Sequence, residues 1–143
     1  HIDHHTRVRH RVGHTYSSEN YKGIADGEGR GVFNGKILVE QDAQKIEALQ
    51  SSKNLLLSDG AEIDTKPELE IYADDVQCSH GTTVGQLDQN ALFYLQARGI
   101  SRQQAITILS QGFLLEVLQR FEDSQIIEYV QSKLACIEGV CDE

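Results

Sequence analysis

Apolar residues in the first 87 positions come in short bursts: Val32-Phe33, Ile37-Leu38-Val39, Ile46 with Ala48 and Leu49, Leu55-Leu56-Leu57, Ile63, Leu69 with Ile71, and Val76 with Cys78. Several alternate with polar residues, as in Glu68-Leu69-Glu70-Ile71-Tyr72. Alternation marks a strand with one face in and one face out. The bursts recur roughly every seven to nine residues, a strand-and-turn rhythm. Short strands at that spacing are usual in sandwiches and barrels. The connections favour something else. Between Val39 and Leu55 there is no Asn-Gly or Asp-Gly pair of the tight-hairpin kind, which leaves Asp26-Gly27 and Asp59-Gly60 as hairpin candidates. Val39 to Ile63, and Ile46 to Ile71, mark a longer approximate repeat. Its period lies roughly in the twenties, with three short strands per turn, as in a β-helix whose coils stack apolar residues on one another. On pattern alone, sandwich and solenoid both stay open.

From residue 88 the period becomes helical. Asp88 caps a helix carrying Leu92 and Leu95 and stopped by Gly99. Ser101 and Gln104 form a capping box for a second helix with Ala105, Ile108, Leu109, Phe113, Val117, Leu118 and Phe121. Asp123 or Ser124 starts a third, with Ile126, Ile127, Val130 and Leu134 on one stripe. The expected organisation is therefore a β unit over 1–87 and a helical subdomain over 88–143.

Composition narrows the function classes. The chain has 143 residues, 39% of them hydrophobic, and a formal net charge of −9. Residues 1–30 hold five cationic side chains (Arg7, Arg9, Arg11, Lys22, Arg30) against four carboxylates (Asp3, Glu19, Asp26, Glu28), so the acidity lies in the remainder. Nucleic-acid binding needs clustered Lys and Arg, so it is not expected. An acidic remainder behind a mildly basic start suggests protein partners. No apolar run approaches the ~20 residues needed to span a bilayer. No secretory signal is visible. The first residue is not Met, and His1–Val12 reads as the inside of a strand, which fits a piece of a longer chain. Three cysteines, Cys78, Cys136 and Cys141, do not make a disulfide framework and fit a reducing compartment.

The motif search excludes more than it finds. Gly31-Val32-Phe33-Asn34-Gly35-Lys36 has three residues between glycines where a nucleotide loop needs four, and Ile37 stands where Ser or Thr must hold magnesium. Gly27-Glu28-Gly29-Arg30-Gly31 puts a glutamate where a phosphate would sit. These glycines read as turn or bulge residues, and the chain is not expected to hydrolyse ATP or act as an enzyme by itself. On a strand His4, His10 and His14 share a face and His5 lies opposite. Such a set suits zinc or a late transition metal, although positions 4 and 14 are too far apart to meet at one ion. Cys78 and His80 are two apart, so on a strand they point the same way. A thiolate beside an imidazole suits soft iron or zinc, with further ligands supplied from elsewhere. A buried cysteine and a structural histidine explain the pair as simply. Cys136 and Cys141 are half a metal site at best. Phe113-Leu114-Leu115, after Gly112, are candidate docking residues, with core packing the simpler role.

Three stretches carry a resemblance: Asn54-Leu55-Leu56-Leu57-Ser58-Asp59-Gly60-Ala61-Glu62-Ile63-Asp64-Thr65-Lys66-Pro67-Glu68-Leu69-Glu70-Ile71-Tyr72, Ala73-Asp74-Asp75-Val76-Gln77-Cys78-Ser79-His80-Gly81-Thr82-Thr83-Val84-Gly85, and Asp88-Gln89-Asn90-Ala91-Leu92-Phe93-Tyr94-Leu95-Gln96-Ala97-Arg98-Gly99-Ile100-Ser101. They span about a third of the chain and resemble the SufB/SufD family of iron–sulfur cluster assembly scaffolds. The Cys78-Ser79-His80 triplet is more similar to the SufD branch. The resemblance implies a right-handed parallel β-helix, truncated here, followed by a helical subdomain. It implies pairing with a SufB-like partner through the β-helix and docking of a SufC-like ATPase on the helices. His80, with Cys78 beside it, would face the SufB-like partner where a cluster is built from sulfur delivered by a separate desulfurase. The isolated chain would hold no resident cofactor, since the cluster is transient and needs the full complex. A cytoplasmic or plastid-stromal location follows. An open coil end also invites self-association, so a homodimer of the isolated chain is a further expectation. The competing expectation is a metal-dependent enzyme on a β-helix, using the clustered early histidines or His80.

Overall fold

A computed structural model describes residues 1–137, with side chains through residue 134. The chain is mainly β with three helices, and it divides into two compact units, His1–Gln86 and Leu87–Glu143.

The first unit holds six strands: β1 (Ile2–His10), β2 (Tyr16–Ala25), β3 (Arg30–Val39), β4 (Ile46–Leu56), β5 (Glu62–Ile71) and β6 (Val76–Gln86). They alternate between two three-stranded sheets, ordered β1-β3-β5 and β2-β4-β6. Every pairing is parallel. Ile2 pairs with Gly31, 29 positions on, and Arg30 with Glu62, 32 positions on. Tyr16 pairs with Glu47 and Ile46 with Val76.

This geometry corrects the expected repeat. The chain returns to the same sheet after about thirty residues rather than twenty-odd, and each return contains two long strands rather than three short ones. The bursts at 32–33 and 37–39 are one strand, as are those at 46–49 and 55–57. Polar residues inside the strands had split the apolar signal. The hairpin candidates are also corrected. Asp26-Gly27 joins β2 to β3 and Asp59-Gly60 joins β4 to β5, and each pair lies in different sheets. Parallel pairing throughout departs from the antiparallel sheets of a sandwich.

The two turns stack on each other. Asp26 Oδ1 accepts from the Gly27 amide at 2.7 Å, and Gly27 holds φ +61°. Ser58 Oγ donates to the Gly27 carbonyl at 2.8 Å, and a Cβ on Gly60 would lie 2.7 Å from that same oxygen. Only glycine lets the two turns approach so closely.

Between the sheets, Ile37, Val39, Ala43, Ile46, Ala48 and Ala73 form a buried cluster, with Val8, Leu69, Val76 and Cys78 packed against it. The register explains the set: Val8, Ile37 and Leu69 lie side by side in the first sheet, and Ala48 and Cys78 in the second.

The second unit contains α1 (Gln89–Gln96), α2 (Arg102–Leu118) and α3 (Ser124–Ile137). The expected caps are present. Asp88 accepts from the Asn90 amide at 2.8 Å, and Gly99, at φ +87°, closes α1 with the Ile100 amide reaching back to the Leu95 carbonyl. Ser101 and Gln104 make the full capping box. Asp123, rather than Ser124, caps α3, accepting from the Gln125 and Ile126 amides. Phe121 falls beyond the end of α2. Among the described residues no helix is long and apolar enough to cross a membrane.

Candidate functional site

Strand β6 lies at the edge of the second sheet, paired with β4 on one side. Cys78 pairs with Ala48 and His80 with Gln50. Ile46, Ala48, Gln50, Ser52 and Asn54 are buried on β4, so the pleat turns Cys78 and His80 to that interior face. The two side chains are therefore same-face neighbours, about 7 Å apart along the strand. Their surroundings differ. Cys78 packs on the apolar cluster, and burial pushes its thiol pKa up, so the group stays a thiol until a metal or base removes its proton. His80 is exposed.

One position beyond Cys78, the interior changes character. Gln50, 4% exposed, donates from Nε2 to Glu19 Oε2 at 2.8 Å. Asn54 Nδ2 donates to Ser52 Oγ at 3.0 Å and to the Thr83 carbonyl at 3.4 Å. Gly35, on the facing sheet, makes room for this layer: a Cβ there would lie 2.2 Å from Gln50 Nε2. Gly35 is thus neither a turn nor a bulge residue, as the motif search expected, but a strand residue emptied for a buried amide. Three buried polar atoms here, Thr6 Oγ1, Gln50 Oε1 and Asn54 Oδ1, have no partner. Buried polar groups are costly when unpaired, so such a cluster is rarely left by packing alone.

Sequence reasoning found Cys78 and His80 but missed Glu19 and Gln50. The signal was available: the alternation that begins Ile46-x-Ala48 continues as Gln50-x-Ser52-x-Asn54 in the same phase.

The early histidines do not assemble. His4 Nδ1 bonds with the Tyr21 hydroxyl at 2.9 Å, and Tyr21 stacks on Phe33 with centroids 4.2 Å apart. His10 bonds with Thr15 at 2.7 Å and Ser17 at 2.9 Å, and burial lowers its pKa. His5 faces outward beside Asp3. His14 does not share the His4–His10 face as expected, because β1 ends at His10 and His14 sits in the following turn with φ +59°. Among the described residues no three His, Cys, Asp or Glu side chains cluster as a metal site. The Cys136–Cys141 pair lies outside the described residues and side chains. Phe113, Leu114 and Leu115 are half-buried, whereas Phe93, Tyr94 and Tyr129 are exposed apolar surface on the helices.

Residues 1–113 match the family model described as SUF system FeS cluster assembly, SufBD core domain. The chain is 42% identical over 129 residues to the iron-sulfur cluster assembly protein SufD of Escherichia coli, covering 90% of this chain and 30% of that protein. It is 41% identical over 103 residues to the chloroplastic protein ABCI7 of Arabidopsis thaliana, covering 72% of this chain and 22% of that one. SufD of Bacillus subtilis is 35% identical over 124 residues, covering 85% and 28%. The chain spans less than a third of the length of these relatives.

Proposed function

The chain belongs to the SufB/SufD family, on the SufD-like side, and from that premise we propose that it is part of a non-catalytic scaffold for iron–sulfur cluster assembly. The two alternating parallel sheets are then the coils of a right-handed parallel β-helix that pairs with a SufB-like partner. The helices of 88–143 dock a SufC-like ATPase, which does the ATP hydrolysis. The exposed Phe93, Tyr94 and Tyr129 suit such a contact. The nascent cluster is cargo, held transiently at the partner-facing edge in a soluble compartment, the cytoplasm or a plastid stroma.

The observation that carries the reading is the shared face of Cys78 and His80 on edge strand β6. An exposed imidazole offers iron a neutral nitrogen ligand, and the half-buried thiol beside it becomes a strong ligand only once deprotonated. Two ligands leave the remaining positions to the partner and to sulfide. His80→Ala in the full complex is expected to abolish cluster assembly while the chain's urea midpoint stays unchanged. Normal assembly by that variant overturns the ligand role. Docking is read by calorimetry with the ATPase, comparing the chain with a version ending at Leu87. Binding should vanish with the helices.

A further inference from the structure

Glu19, Gln50 and His80 form one row across β2, β4 and β6, because Glu19 pairs with Gln50 and Gln50 with His80. All three share the interior face, on strands about 4.8 Å apart. The middle member is held. A carboxylate accepts only, so the atom facing Glu19 must be the amide nitrogen, and Gln50 Nε2 lies 2.8 Å from Glu19 Oε2. An amide splays its oxygen away from its nitrogen. With the nitrogen committed to Glu19, Oε1 is the amide atom left for another member of the row. That oxygen is buried and has no partner, and the Gln50 side chain as a whole is 4% exposed. Gly35 across the interior is cut back to admit the amide, since a Cβ there would lie 3.0 Å from Gln50 Cδ as well as 2.2 Å from its nitrogen.

We propose that Gln50 is the positioning residue of His80: the exposed ring is not bonded to it here, and on turning inward it donates one ring N–H to the unpartnered Oε1, so that the other ring nitrogen presents its lone pair outward. The inference rests on the reading of His80 as a ligand. Neutral imidazole carries one proton and offers one lone pair, and the hydrogen bond made by one nitrogen decides which of the two faces a metal. Ligand histidines ordinarily donate their second nitrogen to an oxygen acceptor, and loss of that acceptor costs about 10- to 100-fold in affinity or activity. Glu19 acts one step further back, by fixing which end of the amide His80 meets.

The test is the tautomer of His80, read by nitrogen NMR on the whole chain labelled at histidine, at a pH where the imidazoles are neutral. The His80→Ala spectrum identifies the signals. A single tautomer is expected for the unaltered chain and a mixture for Gln50→Leu. Glu19→Gln, which keeps the shape but lets the amide turn round, is expected to give an intermediate ratio. Cluster assembly by the complex containing Gln50→Leu should fall about tenfold or more. An unchanged tautomer ratio in folded Gln50→Leu overturns the proposal. If His80→Ala assembles clusters normally, the ligand reading fails instead, whatever the tautomer does.

Discussion

Between the same two sheets lie two interiors of opposite chemistry. Beside the turn from β3 to β4, Ile37, Val39, Ala43, Ile46 and Ala48 close on one another without a polar atom among their side chains. Two residues further along β4 the inward positions become Gln50, Ser52 and Asn54, all buried, facing Gly35 and flanked by Glu19. The backbone is the same on both sides of the boundary, since parallel pairing runs through it without a break. The first region gains from apolar burial. The second carries amide and hydroxyl groups that must find partners inside. Cys78 and His80 straddle the boundary, the thiol on the apolar side and the imidazole at the polar row. Apolar packing and buried polar pairing are thereby divided along one strand.

The sharpest way to break this contrast is Ile37→Ala. Ile37 is fully buried in the apolar cluster, and truncation removes its packing and leaves a cavity. The expected cost is about 2–5 kcal/mol, read as a lower urea midpoint. A loss within the error of the titration would mean that the apolar layers do not carry the β unit. Gly35→Ala probes the other region. Its new Cβ would lie 2.2 Å from Gln50 Nε2 and 2.9 Å from Phe33 Cζ, so the amide must move. Overpacking of this kind costs about 1–3 kcal/mol. Combining Gly35→Ala with Gln50→Ala should recover part of that loss, and strict additivity of the two changes would show that the amide is not what Gly35 accommodates.

The same boundary explains what the sequence made legible. Family, mainly-β class and the helix caps were readable, because caps and family motifs are local. Parallel stacking came only with the family resemblance, since the pattern alone left a sandwich open and offered Asp26-Gly27 and Asp59-Gly60 as hairpins. The coil length was not. Gln50-Ser51-Ser52-Lys53-Asn54 and Asn34-Gly35-Lys36 have the composition of turns, so each strand was broken where its interior turned polar. Hydrophobic periodicity reports burial only when what is buried is apolar. The residues invisible to that signal, Glu19 and Gln50, form the row that leads across the sheet to the candidate ligand. The early histidines misled for a related reason. His4 and His10 do face inward, but each is taken up by its own hydroxyl partners, and His14 left the strand at a turn whose position the pattern did not mark.

His10 supplies a smaller, pH-dependent effect at the apolar end, where it pairs with Val39. Burial lowers its pKa from the ordinary 6.5, so the unfolded chain binds the proton more readily than the folded one. Its contribution is therefore fully present above the unfolded pKa and is lost as pH falls below it through the lowered folded value. The slope for one proton is at most about 1.4 kcal/mol per pH unit. Urea midpoints measured at neutral pH and in mild acid should separate, and His10→Gln should flatten the difference. An unchanged slope in that variant would show that His10 is not the group being protonated.

The smallest effect is expected on the outer face of the first sheet, where ion pairs are plentiful. Lys66 Nζ sits 2.7 Å from Glu68 Oε1, and Lys36 sits 2.6 Å from Glu70 and 4.0 Å from Glu68. The Lys66 hydrogen bond holds the Glu68 carboxyl below its ordinary range, and its charge adds to the same effect. Any contribution to stability is thus confined to pH above the unfolded carboxylate pKa and falls away through the lowered folded value, and solvent screening keeps it near zero. Lys66→Gln should raise the Glu68 pKa in an NMR titration while leaving the urea midpoint at neutral pH unmoved, because water screens both partners. A midpoint that falls with this variant would mean that exposed charge contributes to the β unit as its interior does. The contrast between good geometry outside and good geometry inside is the one that matters here. A 2.7 Å contact in water on Lys66 and a 2.8 Å contact on buried Gln50 look alike, yet only the second is shielded enough from water to fix its own amide.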